Sequence, residues 1–214
     1  MVPHRLFDDD ADGQRVTSLS ALASAVDACR RCPLYKHATQ GVPGEGSRQA
    51  DLMLVGEQPG DKEDLAGKPF VGPAGILLDR ALAEAGVDRR QAFVTNAVKH
   101  FKHEMRGKRR LHKRPNAYEI ERCRWWLERE LAIVKPEVVM ALGATAARSL
   151  FGRPMAIGKH RGHELRLDNG TRAFITIHPS ALLRIEERAE KERAYRAFVA
   201  DLRSAAALLR RRAA

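Results

Sequence analysis

Residues Ala50–Glu57, ADLMLVGE, decide the fold. Leu52, Met53, Leu54 and Val55 follow one another without a polar break, and Gly56 and Pro59 end the run. A strand with one wet face alternates apolar and polar residues. An unbroken apolar run of this length, closed by Gly and Pro, is expected from a strand covered on both faces, as in a parallel sheet. The next segment, GILLDRALAEAG (Gly75–Gly86), has Leu77, Leu78, Ala81, Leu82 and Ala85 on one helical face and Gly86 as its stop.

Outward from this pair the alternation repeats. AFVTNAV reads as a strand and NAYEIERCRWWLERELAIV as a long helix. PEVVMALG is a further strand, ATAARSLFG a short helix ending in Gly, AFITIHPS the last strand, and Glu186 to about Arg211 the last helix. Leu19–Ala28 is helical, and the DNG turn between Ile157 and Phe174 suggests a hairpin. The expected fold is a single three-layer α/β/α domain with a central, mainly parallel four-stranded sheet. It spans residues 18–214, after a polar, aperiodic extension over residues 1–17 that reads as flexible.

The 214 residues suffice for one domain with a core, and there are no internal repeats. Lys and Arg number 38 against 27 acids, a net charge of +11, which favours a polyanionic partner. No apolar leader and no run near the ~20 residues of a membrane span is present, so a soluble cytoplasmic protein without a membrane partner is expected. Three cysteines, two of them spaced C-x-x-C as Cys29 and Cys32, point to metal or redox chemistry before a disulfide.

Three polar motifs, GEQPGD, TNAVKH and HPSALL, fall at the carboxyl ends of expected strands. In an open parallel sheet the strand-to-helix loops converge there, and ligands bind there. The first motif opens a segment with five glycines and three prolines between Gly56 and Gly75. It lacks the G-x-x-x-x-G-K-[ST] pattern of a phosphate loop. Individually the bland readings are good ones: Phe70 as core, Asn96 as a turn residue, His178 as a satisfied structural histidine. Their common edge favours a site.

In this order, GEQPG, GKPFVGPAG, TNAVK and HPSALLR resemble the uracil-DNA glycosylase superfamily, most closely its iron–sulfur family 4, over Cys29 to about Arg184. The resemblance implies a protein that extrudes uracil from DNA and breaks its glycosidic bond. It implies that Phe70 stacks on uracil, Asn96 reads its polar edge, Gln58 lines the pocket, His178 bonds the uracil carbonyl, and Glu57 sits near the sugar. It also implies a 4Fe–4S cluster. Cys29, Cys32 and Cys123 are present, and His100 stands where the family has a cysteine, so His100 is the expected fourth ligand. The competing possibility is zinc or nothing at the cysteine pair, with His100 on the surface.

The segment KHFKHEMRGKRRLHKRP, Lys99–Pro115, departs furthest from family 4 and holds a single acid, Glu104. Its KRRLH, Lys108–His112, resembles the basic loop of the UdgX branch of the superfamily, whose histidine bonds covalently to DNA once uracil has left. The resemblance implies His112 as nucleophile, and Lys108, Arg109, Arg110, Lys113 and Arg114 are expected to grip the DNA backbone; they disfavour imidazolium at His112, while DNA phosphates, by neutralising them, push the other way. The expected partner is uracil-containing DNA, preferably single-stranded, bound by a monomer. The rival readings are a turnover glycosylase in which water still wins, and a non-catalytic, metal-bearing nucleic-acid binder.

Overall fold

The computed structural model describes residues 16–210, so most of the expected flexible extension lies outside the described residues. Four parallel strands form the centre: β1 (Leu52–Gly56), β2 (Ala92–Asn96), β5 (Val138–Leu142) and β7 (Arg172–Thr176). The two-residue β6 (Leu165–Arg166) adds an antiparallel edge, giving the order β2-β1-β5-β7-β6. β6 and β7 are the hairpin expected around the DNG turn. So short an edge strand leaves few free backbone groups to pair with another chain.

β1 sits between β2 and β5, with Leu54 aligned on Val94 and on Met140. Every residue of β1 is buried, as its unbroken apolar sequence requires. Leu52 and Leu54 face a core shared with α3 (Pro73–Ala85), α7 (Pro179–Leu183) and α8 (Arg188–Arg210). Met53 and Val55 face the opposite core, which is built with α4 (Ala117–Val134) and α5 (Ala144–Phe151). A third apolar cluster, formed by α1 (Leu19–Asp27) and α4, holds all three cysteines. Among the described residues no helix is long and apolar enough to cross a membrane.

The topology locates the crevice. From β1 the chain passes through α3 on one face to β2; from β5 it passes through α5 on the other face to β7. Between neighbouring strands whose following loops part to opposite faces, the sheet opens at its carboxyl edge. The loops after β1 and β5 meet there, where Thr145 of α5 donates to Glu57, just beyond β1.

The basic run is not a loop. His103–Arg106 (β3) and Arg109–His112 (β4) form a separate antiparallel hairpin, with His103 opposite His112. Gly107 takes φ +60° at the first central position of its two-residue turn, as a type II′ turn demands. Three short helices were also unforeseen: α2 (Asp61–Ala66), α6 (Ile157–His160) and α7.

Candidate active site

The loop after β1 is shaped by a residue that no motif singled out. Glu63, on α2, accepts from Gly60 N–H at 3.1 Å with one carboxylate oxygen and from Gly72 N–H at 2.7 Å with the other. This staple closes the Gly-rich segment on itself. Phe70, within it, is held at φ +57°, a conformation costly for a bulky side chain. A β-carbon on Gly75 would lie 1.8 Å from Phe70 O, so only glycine lets α3 start this close to the strained turn.

Phe70 and Asn96 converge on Gly56, and His178 lies beside Phe70. The Phe70 ring and His178 imidazole are nearly parallel, 29° apart with centroids at 5.9 Å. A β-carbon on Gly56 would meet Asn96 Oδ1 at 2.4 Å and the Phe70 ring at 2.5 Å. The Asn96 side chain is 3% exposed, and its amide makes no hydrogen bond to the protein among the described residues. A buried amide left open beside an aromatic face suits a flat, polar-edged ring.

His178 caps α7. The Ser180 backbone N–H donates to His178 Nδ1 at 3.2 Å, and Ser180 Oγ lies 2.8 Å from the same nitrogen. A backbone N–H can only donate, so Nδ1 accepts and the neutral ring carries its proton on Nε2. Burial, reinforced by His112 and Arg184, pushes the His178 pKa down to about 4. The ring therefore presents a fixed N–H donor at neutral pH. Gly143, at φ +95°, leaves room for it: a β-carbon there would lie 3.1 Å from His178 Cβ.

This depressed pKa has a thermodynamic consequence. Unfolded histidine takes its proton near pH 6.5, and folded His178 near 4. Between those values the unfolded chain binds more protons, so stability is full above the upper one and falls as pH drops toward the lower. The loss attributable to His178 is about 3 kcal/mol. Urea unfolding followed from pH 7 to pH 4 should show a shallower decline in His178→Gln than in wild type. Parallel curves would contradict the buried, neutral assignment.

The hairpin brings His112 over the same edge. His112 Nε2 lies 3.3 Å from Glu57 Oε1, while Glu57 Oε2 accepts from Thr145 Oγ1 at 2.5 Å. Arg114 approaches the same carboxylate at 3.9 Å. The His112 pKa is lowered, chiefly by the partial burial of a ring whose side chain is still 49% accessible and further by Arg184, with Glu57 opposing. The cation acting on His112 is thus Arg184 of the HPSALLR segment, rather than the flanking cations of the basic run. On a strand, adjacent side chains point to opposite faces, so Leu111 and Lys113 face away from His112.

The cations of the hairpin have different tasks. Lys108, Arg109, Lys113 and Arg114 are exposed, with Lys113 paired to Glu104 at 2.9 Å. Arg110, expected among the backbone-gripping cations, is instead tied inward. It bonds Asp61 and the fully buried Asp64, each at 2.6 Å, and Thr39 at 3.1 Å. Its guanidinium lies 5.5 Å above the Phe101 ring, which also stacks on His103 and contacts His112.

Gln58 likewise departs from its expected role in the pocket lining. Its Nε2 donates to Lys102 O and Lys113 O, each at 3.1 Å, and its Oε1 accepts from Lys102 N at 3.1 Å. Both amide protons are consumed in clasping the two ends of the hairpin. Gln58 thus holds the hairpin that carries His112, and its amide protons are already taken.

The thiols occupy a different region. Cys29, Cys32 and Cys123 are all buried in the α1–α4 cluster. Burial raises the Cys32 pKa and pushes that of Cys123 up to about 12. Donors nevertheless point at the sulfurs: Trp126 Nε1 at 3.1 Å and Arg31 N at 3.5 Å to Cys29, Lys99 N at 3.1 Å to Cys123. A neutral thiol is a weak acceptor, whereas a metal-bound thiolate rewards such donors, so the set fits iron ligation. His100 is 3% exposed, far from the surface placement of the competing reading. Its pKa is lowered by burial and by Arg30, which favours the neutral ring that binds metals. Among the described residues no three His, Cys, Asp or Glu side chains gather closely enough for a single ion.

Several of these residues were given no role by the sequence. Thr145, Asp61, Asp64 and Arg184 act on partners distant in the chain, and Glu63 on the N–H groups of two glycines within its own loop. Gly56 and Gly143, at strand ends beside site residues, are the exceptions, for such glycines commonly mark a close approach.

Comparison with known proteins identifies the family. The family model for the Uracil DNA glycosylase superfamily matches residues 43–203. The chain is 38% identical over 173 residues to a type-4 uracil-DNA glycosylase of Pyrobaculum aerophilum, covering 78% of this chain and 85% of the relative. A type-4 uracil-DNA glycosylase of Thermotoga maritima is 36% identical over 168 residues, with 78% and 83% covered. A type-5 uracil-DNA glycosylase of Pyrobaculum aerophilum is 30% identical over 186 residues, with 78% of each covered.

Proposed function

The chain belongs to the uracil-DNA glycosylase superfamily, and on that premise we propose that it excises uracil from DNA and then bonds covalently to the sugar through His112. The observation that carries the covalent step is the contact of His112 with Glu57, 3.3 Å apart, at the rim of the pocket formed by Phe70, Asn96 and His178.

The extruded uracil stacks on Phe70, and Asn96 reads its amide edge. As the bond from C1′ to the base breaks, its electron pair leaves with uracil. The Nε2–H of His178 is aimed at the carbonyl where that charge gathers, and an ordered donor there lowers the barrier without reorganising. The sugar is left as an oxocarbenium ion, an electrophile that bulk water traps.

His112 competes with that water. Its lowered pKa keeps a lone pair on the ring, and its anchoring replaces a bimolecular encounter with a positioned one. The lone-pair nitrogen forms the new bond to C1′, and Glu57 accepts the proton the ring then sheds. The products are free uracil and one protein–DNA adduct per molecule. Lys108, Arg109, Lys113 and Arg114 meet the phosphates, a contribution that weakens with salt. Uracil in single-stranded DNA is the preferred substrate, since an unpaired base is extruded at least cost.

Cys29, Cys32, His100 and Cys123 would hold a 4Fe–4S cluster. When bound it supplies a rigid anchor for the segment that follows Asn96, and takes no part in the bond changes above.

The second reading is ordinary turnover, with water attacking C1′. It is favoured by the exposure of His112, whose side chain is 49% accessible and so leaves solvent nearby. The hairpin clasp separates the two readings. Gln58→Leu removes three hydrogen bonds from the base of the hairpin while keeping its bulk. Uracil release should persist, and adduct formation should fall about 100-fold, as for a misplaced reacting group. Timed quenching on denaturing gels, with uracil quantified in parallel, measures both. Unchanged adduct formation would show that His112 needs no such positioning.

A further inference from the structure

Lys99 and Glu130 are both completely buried, and their charged groups meet at 2.7 Å. The three ammonium protons are all used: Lys99 Nζ donates to Glu130 Oε2, to Thr95 Oγ1 at 2.6 Å and to the backbone carbonyl of Asn96 at 2.8 Å. Thr95 Oγ1 also donates to Glu130 Oε2, and Gly44 N–H donates to Glu130 Oε1 at 2.9 Å. No donor of the ammonium faces solvent.

A pair of this kind is expensive to bury. Apolar residues of similar size often give equal or greater stability, so stability alone does not account for it. What it does supply is geometry. Lys99 closes its own turn, reaching back three residues to the carbonyl of Asn96, the residue whose amide faces the pocket. The Lys99 backbone is fixed at the same time, its N–H on Cys123 Sγ at 3.1 Å and its carbonyl accepting from Val42 N–H at 2.8 Å. One residue therefore ties the end of β2 to the thiol region and to the preceding loop.

We infer that Lys99 is a positioning residue for base recognition: with Glu130 as counter-charge it sets the backbone at Asn96, so that the amide meets the uracil edge in register. The inference rests on the reading of this site as a uracil pocket. Lys99 touches neither base nor sugar. It acts through Asn96, and its removal lowers discrimination and the chemical step without weakening the backbone grip of the exposed hairpin cations.

The test uses the full-length, metal-loaded protein and two variants. Lys99→Met leaves Glu130 unpaired; Lys99→Met/Glu130→Leu removes both charges. Three quantities are measured: the maximal rate of uracil release from a uracil-containing single strand, the affinity for the matching thymine strand, and the midpoint of thermal unfolding. In the double variant the release rate should fall at least about tenfold, with thymine-strand affinity within about twofold of wild type and a melting midpoint equal or higher. A merely structural role would not lower the rate in a protein equally stable. A double variant that releases uracil at the wild-type rate overturns the inference. So does failure of both variants to fold, which would assign the pair to the core alone. Should wild type itself fail to distinguish uracil from thymine strands, the uracil reading of the site fails first, a result separate from either.

Discussion

His112→Ala is expected to form no covalent adduct with uracil-containing DNA and still to release uracil. The pocket and the nucleophile are built from separate pieces of chain. Phe70, Asn96 and His178 come from the strand-end loops of the main sheet, whereas His112 comes from the detached β3–β4 hairpin. Removing the imidazole leaves the His178 donor and the Phe70 face in place, so the leaving-group half of the reaction survives. It also opens a space beside Glu57, which remains held by Thr145. Water in that space can reach the sugar cation, and Glu57 is then placed to accept its proton. His112→Ser should do this more effectively, since its hydroxyl helps retain such a water, and it should give multiple turnovers and free abasic DNA. The adduct band should vanish in both variants, a larger change than any positioning variant produces.

Gly56→Ala should abolish uracil release while sparing attachment to the DNA backbone. The added methyl group would lie 2.4 Å from Asn96 Oδ1 and 2.5 Å from the Phe70 ring, both well inside van der Waals contact. Neither neighbour yields easily. Phe70 sits in a turn stapled by Glu63, with its backbone against Gly75. Asn96 is fixed through β2 and through Lys99. Displacing either by an ångström costs about 100-fold, and displacing both costs more. The exposed cations of the hairpin lie elsewhere, so binding to a thymine-containing strand should be unaffected. Loss of that binding as well would mean that the substitution had disturbed the sheet and not the pocket.

The parts of this design that were legible in the sequence are those governed by burial. β1, β2, β5 and β7 lie between two helical layers, so each carries at least three consecutive apolar residues, and the motifs at their ends fall on one edge by topology. The hairpin was not legible for the opposite reason. His103–Arg106 and Arg109–His112 carry no apolar alternation, and the turn at Gly107 is embedded in a run of cations. Which cation points inward is set by strand register: Arg110 shares its face with His112 and meets Asp61 and Asp64, whereas Arg109, one residue away, is exposed. The five basic residues of Lys108–Arg114 look equivalent until that register is known.

Gln58 illustrates a second limit. The family resemblance implied a pocket-lining residue, and only the hairpin folding back over it reveals the carbonyls that take its protons. Lys99 illustrates a third. A buried ion pair between residues 31 positions apart has no local signature. In the thiol region the C-x-x-C pair announces ligand chemistry by residue type, whereas Cys123 and His100 join it only through the family resemblance; all four side chains are buried.

Adduct formation requires a positioned imidazole to capture the sugar cation ahead of water, and peptide mapping by mass spectrometry detects that capture at the residue itself. The protein is incubated with a short uracil-containing single strand, digested with protease and nuclease, and searched for nucleotide mass. The expected result is a deoxyribose-phosphate remnant on the peptide that contains His112, attached at that residue, together with an equal amount of free uracil. Complete uracil release with unmodified His112 would contradict it and leave the hairpin as a clamp on the DNA backbone.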